Sequence, residues 1–247
     1  MAMFLACGSV FLIQCSLTEP EDTTPPVRSL TLVNSYALDV AEPSGLALTP
    51  DGSALWTVSD HSNRIVQISL TGKRLKTLSY QGNDLEGVVI DPTAHTLWVA
   101  EERSRELVEV DSTGKELQRH RILDGDDNSG LEGVCFDVLR RLFTIKEKQP
   151  GLLMALNADF SIRWQKELSF AGDYSGLCAD TLLNRFWILS DQDESLFLWD
   201  TNAGLVGQYK LNIVGPEGIA IDFARGLIYV VSDPQSRLYV FKLEKSF

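Results

Sequence analysis

The stretch Leu85-Glu86-Gly87-Val88-Val89-Ile90-Asp91, followed by Leu97-Trp98-Val99-Ala100-Glu101-Glu102, decides the fold, because the chain writes a close variant of it five times. An acid or a serine followed by glycine opens a short apolar run at Ser44-Gly45, Glu86-Gly87, Glu132-Gly133, Ser175-Gly176 and Glu217-Gly218. The glycines are 42, 46, 43 and 42 residues apart. A period of that size is the one expected for four short strands per unit, the blade of a β-propeller. Five units predict an all-β, five-bladed β-propeller of four-stranded antiparallel blades.

Each unit repeats the same order. In the first, Ser44–Thr49, Ala54–Ser59, Arg64–Ser69 and Arg74–Tyr80 read as strands, separated by turns such as Pro50-Asp51-Gly52 and Leu70-Thr71-Gly72-Lys73. Val, Ile, Leu, Trp and Tyr fill the runs while Gly, Pro, Asp and Asn stand between them, as strand and turn chemistry requires. An aromatic holds the second place of every second strand: Trp56, Trp98, Phe143, Trp187 and Tyr229. These are expected to pack blade against blade. The fifth unit ends at Phe247 with three strands, and Ser29–Leu38 matches the missing fourth. The N-terminal strand is therefore expected to complete the last blade and close the ring, which shortens exposed sheet edges.

The 247 residues are 44% hydrophobic, enough for one large β domain over residues 29–247. A net charge of −12 disfavours nucleic acid and anionic membrane surfaces as partners and favours cations or basic partners. Residues 1–16 read as an export or lipoprotein-like segment, with Cys7 and Cys15 as candidate lipidation sites, although only six residues precede Cys7. Residues 17–28, acidic and rich in Thr and Pro, read as a tether. A lipid anchor there would be the only membrane contact of a periplasmic or envelope domain, expected as a monomer. Cys135 and Cys178 share one repeat position, where Ala47, Val89 and Ala220 stand in the other units, and read as buried thiols.

Strand direction alternates within a blade, so the start of the first strand and the end of the second share a face. The starts carry Glu86, Glu132 and Glu217, and the second strands end in Asp60, Glu102, Glu147, Asp191 and Asp233. Up to eight carboxylates are thus expected around one mouth of the central channel. Such a ring raises the pKa of its members unless cations neutralise it. All-oxygen ligands suit Ca²⁺, with Mg²⁺ as the alternative, and not zinc. Glu86, Glu132 and Glu217, nearest the axis, are the favoured ligands. Arg64, Arg105, Arg237 and Lys146 fall near the same face and are expected to share the neutralisation. Of these, Arg64, Lys146 and Arg237 are the candidate substrate contacts. The plainer alternative is that the acids cap strand ends and pair with those cations.

The loop Asp124-Gly125-Asp126-Asp127-Asn128-Ser129-Gly130 resembles a calcium loop, but Ser129 and Cys135 break the EF-hand pattern, and a solvated turn is expected. Nucleophile-elbow, P-loop, dinucleotide and zinc-protease motifs are missing. His61 is placed to reach the channel mouth, but a surface histidine is the default.

At Asn83-Asp84-Leu85-Glu86-Gly87, Ser129-Gly130-Leu131-Glu132-Gly133 and Pro216-Glu217-Gly218-Ile219-Ala220-Ile221-Asp222, the chain resembles the SdiA-regulated (YjiK/CarP-type) β-propeller family of bacteria. The resemblance implies an exported or envelope protein, a link to calcium and no firmly assigned reaction. Ser44, Ser175 and Lys146 depart from the pattern and suggest an asymmetric site. The expected function is a calcium-binding module recognising a small molecule or a protein on the carboxylate face. A metal-dependent hydrolase, phytase-like or lactonase-like, and a protein-binding scaffold are the alternatives.

Overall fold

A computed structural model describes residues 25–125 and 129–243. Two short N-terminal strands, β1 (Val27–Ser29) and β2 (Thr31–Ala37), precede the repeats. Blade 1 is β3 (Pro43–Leu48), β4 (Ala54–Ser59), β5 (Arg64–Ser69) and β6 (Arg74–Thr77). Blade 2 is β7 (Leu85–Ile90), β8 (Leu97–Glu101), β9 (Glu106–Val110) and β10 (Glu116–Arg121). Blade 3 is β11 (Leu131–Phe136), β12 (Leu142–Lys146), β13 (Gly151–Leu156) and β14 (Ile162–Leu168). Blade 4 is β15 (Gly176–Ala179), β16 (Arg185–Ser190), β17 (Ser195–Asp200) and β18 (Gly204–Lys210). Blade 5 is β19 (Pro216–Asp222), β20 (Leu227–Ser232) and β21 (Arg237–Lys242), completed by β2. The chain is a five-bladed β-propeller, with no helix among the described residues.

Burial explains the sequence pattern of each strand. A second strand is sandwiched between neighbouring blades, so β4 is buried along its whole length and β8 likewise. Fourth strands face outward, and β6 and β10 are almost wholly exposed. Five hydrophobic clusters hold the ring, one at each blade junction. The repeated aromatic supplies each junction in turn. Trp56 packs with Val88 and Val99, Trp98 with Val134 and Leu142, and Phe143 with Leu177 and Phe186. Trp187 packs with Ile219, and Tyr229 returns to Leu46 and Leu55 of blade 1.

The ring closes through the N-terminal strand. β2 pairs antiparallel with β21, from Thr31 opposite Lys242 to Ala37 opposite Arg237. β1 then pairs parallel with β18 and adds a fifth strand to blade 4. The segment read as a tether over residues 17–28 therefore ends in a strand at Val27 and Arg28. Cys7, Cys15 and residues 1–24 lie outside the described residues. Cys135 and Cys178 are both unbridged. Burial pushes the Cys178 thiol up to about 12 and Cys135 well above the ordinary range, as small apolar side chains behave.

Candidate functional site

Four of the five first strands carry a β-bulge beside their acid or serine, and β15 of blade 4, after Ser175, pairs in even register. In β7, Leu85 opposes Glu101 and Gly87 opposes Ala100, which leaves Glu86 as the extra residue. The same shift falls between Ser44 and Leu46, between Leu131 and Val134, and between Pro216 and Gly218. A bulge bends the strand and re-aims the side chain of the extra residue. Here it turns Glu86, Glu132 and Glu217 into the axis.

The adjoining glycines serve the neighbouring blade. A Cβ on Gly87 would lie 2.4 Å from the carbonyl oxygen of Glu132, and one on Gly176 would lie 2.6 Å from that of Glu217. On Gly45, at φ +47°, it would lie 2.7 Å from the carbonyl of Glu86. The acid-glycine pair thus has one physical logic. The glycine admits the next blade's backbone, and that backbone carries the next acid.

The result is a cavity of about 250 Å³ at one mouth of the channel. All eight carboxylates picked out from the repeat line it: Glu86, Glu132, Glu217, Asp60, Glu102, Glu147, Asp191 and Asp233. Ser44, Ser175 and Asp173 complete the wall. Carboxylate oxygens of Asp60, Asp84 and Glu86 come within 4.8 Å of one another, as do those of Glu102, Glu132 and Glu147.

The electrostatics are those of acids without enough partners. Glu132 is 7% exposed, and among the described residues no donor hydrogen-bonds its carboxylate. Burial, followed by the charges of Glu86, Glu217, Glu102 and Glu147, holds it well above the usual carboxylate range. Glu86 is pushed well up by burial, against a lowering contribution from the Ser44 hydroxyl, and Glu217 is pushed well up by burial and Glu86. Glu102 rises to about 7 and Asp60 to about 6, both chiefly through burial. Burial raises Asp191 and Asp233 as well, and the Oδ1 of Asp233 is a buried atom with no hydrogen bond among the described residues.

Two cations approach the rim. Lys148 Nζ pairs with Glu147 Oε1, and Arg103 Nε lies 2.7 Å from Asp84 Oδ2. The second contact is an ion pair without hydrogen-bond alignment, since the same oxygen has no hydrogen-bond partner.

The cations expected in the cavity are elsewhere. Arg64, Lys146 and Arg237, the candidate substrate contacts, do not line it. Arg64 donates to the carbonyls of Ser79 and Tyr80, at 2.7 and 3.0 Å. Arg237 Nε reaches Ser35 Oγ at 3.3 Å. Arg105 donates to the carbonyls of Asp124 and Ser129. Lys146 Nζ donates to Ser129 Oγ at 2.9 Å and to the carbonyl of Lys148.

Lys146 belongs to a five-fold device. The residue before each strand-end acid clasps the loop that enters the first strand of its own blade. Ser59 Oγ donates to the carbonyl of Ala41 and Ser232 Oγ to that of Val214, both at 2.6 Å. Ser190 Oγ donates to Asp173 Oδ1, and Glu101 accepts from the amide of Asn83 at 3.2 Å. These clasps fix the loops from which Glu86, Glu132 and Glu217 enter the channel.

Asp84 and Asp173 are functional candidates that motif reading missed. Both stand two residues before the first-strand acid or serine, where the other units have Glu42, Gly130 and Gly215. His61 is exposed and lies 3.7 Å from Glu42. The loop Asp124–Gly130 falls partly outside the described residues.

A family model described as SdiA-regulated matches residues 36–242. Among solved structures, glutaminyl cyclase from Myxococcus xanthus is 16% identical with a TM-score of 0.69, covering 89% of this chain and 98% of its own. A streptogramin B lyase is 13% identical with a TM-score of 0.51, covering 85% and 68%. Virginiamycin B lyase from Staphylococcus aureus is 15% identical with a TM-score of 0.51, covering 85% and 69%. At these identities the likeness is one of fold, and propellers host many unrelated functions.

Proposed function

The chain belongs to the SdiA-regulated family, and on that premise we propose that it is a cation-binding propeller of the cell envelope whose acidic mouth takes Ca²⁺. The observation that carries this reading is Glu132: a buried carboxylate with no hydrogen-bond donor among the described residues, facing other carboxylates. An uncompensated buried charge is costly, and it is relieved either by protons or by a cation. Ca²⁺ accepts six to eight oxygen ligands in flexible geometry, whereas Mg²⁺ demands near-octahedral order and retains its waters. A mouth of half-buried carboxylates with two serine hydroxyls fits the former better. Glu102, Glu132 and Glu147 would hold the ion, and Asp60, Asp84 and Glu86 form the alternative cluster.

The bound cation would present a positive centre inside an otherwise acidic rim, and a small molecule or a protein with its own oxygen donors would be recognised there. A hydrolase has less support, because Arg64, Lys146 and Arg237 are engaged elsewhere, with the Ser79 carbonyl, the Ser129 hydroxyl and the Ser35 hydroxyl. Attachment through a lipid on Cys7 or Cys15 is part of the same proposal. It rests on the apolar residues 1–16 and the Thr/Pro-rich stretch after them.

The test is calcium titration of the intact domain by calorimetry after EDTA treatment, beside Glu132→Gln. Saturable binding that the substitution weakens at least tenfold supports the reading. No heat with Ca²⁺, or undiminished binding in the variant, overturns it.

A further inference from the structure

On the face opposite the acidic mouth, a cavity of about 340 Å³ opens between blades 2 and 3. We infer that this cavity is a second binding site, built for a small organic anion with a flat apolar body. Its size falls within the range of small-ligand pockets, and it has their usual make-up, an apolar floor with a few placed polar groups. Trp98 and Leu142 form the buried floor, and Phe136 and Phe160 stand half-buried in the wall. Arg140 and Arg163 stand at the edge.

The charges are available for a ligand. Among the described residues, Arg163 has no hydrogen-bond or ion-pair partner. Among the described residues, the Arg140 guanidinium makes one hydrogen bond, to Thr93 Oγ1 at 3.0 Å, and has no carboxylate partner. Arg141 also lines the cavity but is spent on Asp137, which accepts from its Nε and Nη2 at 2.8 and 2.6 Å. Asp91 is the one acid in the lining, and its Oδ1 accepts from the amides of Thr93 and Ala94. The balance is positive in a chain whose net charge is −12.

A second, independent observation points to the same place. The propeller repeats its turns, and blade 3 places bulky side chains at two left-handed turn positions that border this cavity. Arg140 has φ +60° in the turn after the first strand, where the other blades have Gly52, His95, Asn184 and Gly226. Phe160 has φ +64° in the turn after the third strand, where Gly72, Gly114 and Gly204 stand in blades 1, 2 and 4. A left-handed backbone suits glycine and asparagine and is strained for bulky side chains, and such strain gathers at functional sites. Arg163 breaks the pattern as well, at the outer-strand place held by Leu75 and Leu117 in blades 1 and 2. Two departures from the repeat, Phe160 and Arg163, converge on one cavity, beside an Arg140 whose turn place is bulky in blade 2 as well, at His95.

The strained Phe160 is also held in place. Its ring stacks on His120 at 3.8 Å and tilts against Trp98 at 4.9 Å. A flat apolar body would lie against Phe136, Phe160 and Trp98, with its anionic head toward Arg163 and Arg140. Guanidinium groups suit carboxylates and related anions because their forked donors match two acceptor oxygens.

The experiment is calorimetric titration of the whole domain with 2-naphthoate and with its neutral isostere 2-naphthamide, in EDTA so that the acidic mouth holds no metal. The expected result is saturable one-to-one binding of 2-naphthoate, at least tenfold tighter than the amide, and weakened at least tenfold by Arg163→Gln. Arg140→Gly should weaken it too while melting no lower than the parent, since glycine is at ease at that φ. Absence of saturable 2-naphthoate binding, equal affinity for acid and amide, or an unchanged affinity in both arginine variants would overturn the inference.

Discussion

Glu102 and Glu132, on adjacent blades, hold carboxylate oxygens within 4.8 Å of each other, with Glu147 as the third member of the group. Two carboxylates this close, partly removed from water, cannot both ionise cheaply. Burial first, and the Asp84 carboxylate second, raise Glu102 to about 7 and Asp60, across the mouth, to about 6, from ordinary values of 4.5 and 3.8. Acids whose folded pKa is raised keep protons that the unfolded chain releases, so stability falls as pH climbs between the two values. In metal-free protein the loss should run from about pH 4 to about pH 7, and Glu132 and Glu86, held well above the usual carboxylate range by burial, add to it. Asp51 and Asp111, lowered to about 2 by turn hydrogen bonds, act oppositely but only below pH 4. Melting in EDTA should therefore be lower at pH 8 than at pH 5. Equal melting at the two values would contradict the described electrostatics.

Calcium should reverse that loss. An ion that binds only the native state at 100 times its Kd stabilises by about 2.7 kcal/mol. For a domain of this size each kcal/mol is worth about 2–4 °C, so a rise of roughly 5–10 °C is expected at pH 8. Glu132→Gln should melt higher than the parent in EDTA, because a buried like charge is gone, and should lose most of the calcium-dependent rise. A variant that keeps the full rise would remove Glu132 from the ligand set.

Lys146 should behave as a brace. It is buried, and its Nζ donates to Ser129 Oγ and to backbone carbonyls of the loop 148–150. Lys146→Met would strand those acceptors, at a cost of about 1–3 kcal/mol. Chemical denaturation should show that loss while calcium affinity stays within a few-fold of the parent. A variant with intact stability and lost ligand binding would restore Lys146 to the site.

The architecture and the acids were legible in the sequence because they repeat. Glycine spacing predicted the blades, and strand alternation predicted which end of each strand faces the mouth. All eight predicted carboxylates line one cavity. The cations stand outside it for an equally simple reason. Neighbouring residues on a strand point to opposite faces, so Lys146 turns away from the side on which Glu147 lines the mouth. Arg64 and Arg237 open third strands, one step further from the axis. Asp84 and Asp173 escaped because their position is Glu42, Gly130 and Gly215 in the other units. The purpose of the glycines lies between units, in a carbonyl of the next blade, where no reading of one repeat can find it.

That inter-blade contact makes Gly87 a sensitive position. A methyl group there would meet the Glu132 carbonyl at 2.4 Å and crowd Ala100 at 3.1 Å. The carbonyl is backbone and cannot swing aside, so Gly87→Ala must spread blades 2 and 3 or undo the bulge. A loss of several kcal/mol is expected, in line with overpacking and lost backbone fit. Gly204→Ala is the control, since nothing lies within 4 Å of its Cβ, and it should cost only the strain of its φ of +79°. Equal denaturation midpoints for the two variants would argue against the close approach.

The N-terminal strands should differ sharply in what their removal does. β1 lies on the outside of blade 4 with exposed side chains, and its pairing with β18 adds an edge to a sheet that is already four strands wide. A chain starting at Leu30 should therefore unfold cooperatively, at a slightly lower temperature than one starting at Pro25. β2 is different, because it is the fourth strand of blade 5 and leads into Leu38 and Val40, which are buried at the junction of blades 5 and 1. A chain starting at Ala41 would bare the edge of β21 and strip that junction, and an unpaired edge invites pairing with another chain. Loss of the sharp melting transition, or association seen by light scattering, is expected for the longer deletion only. If both truncations melt alike and stay monomeric, β2 does not close the ring.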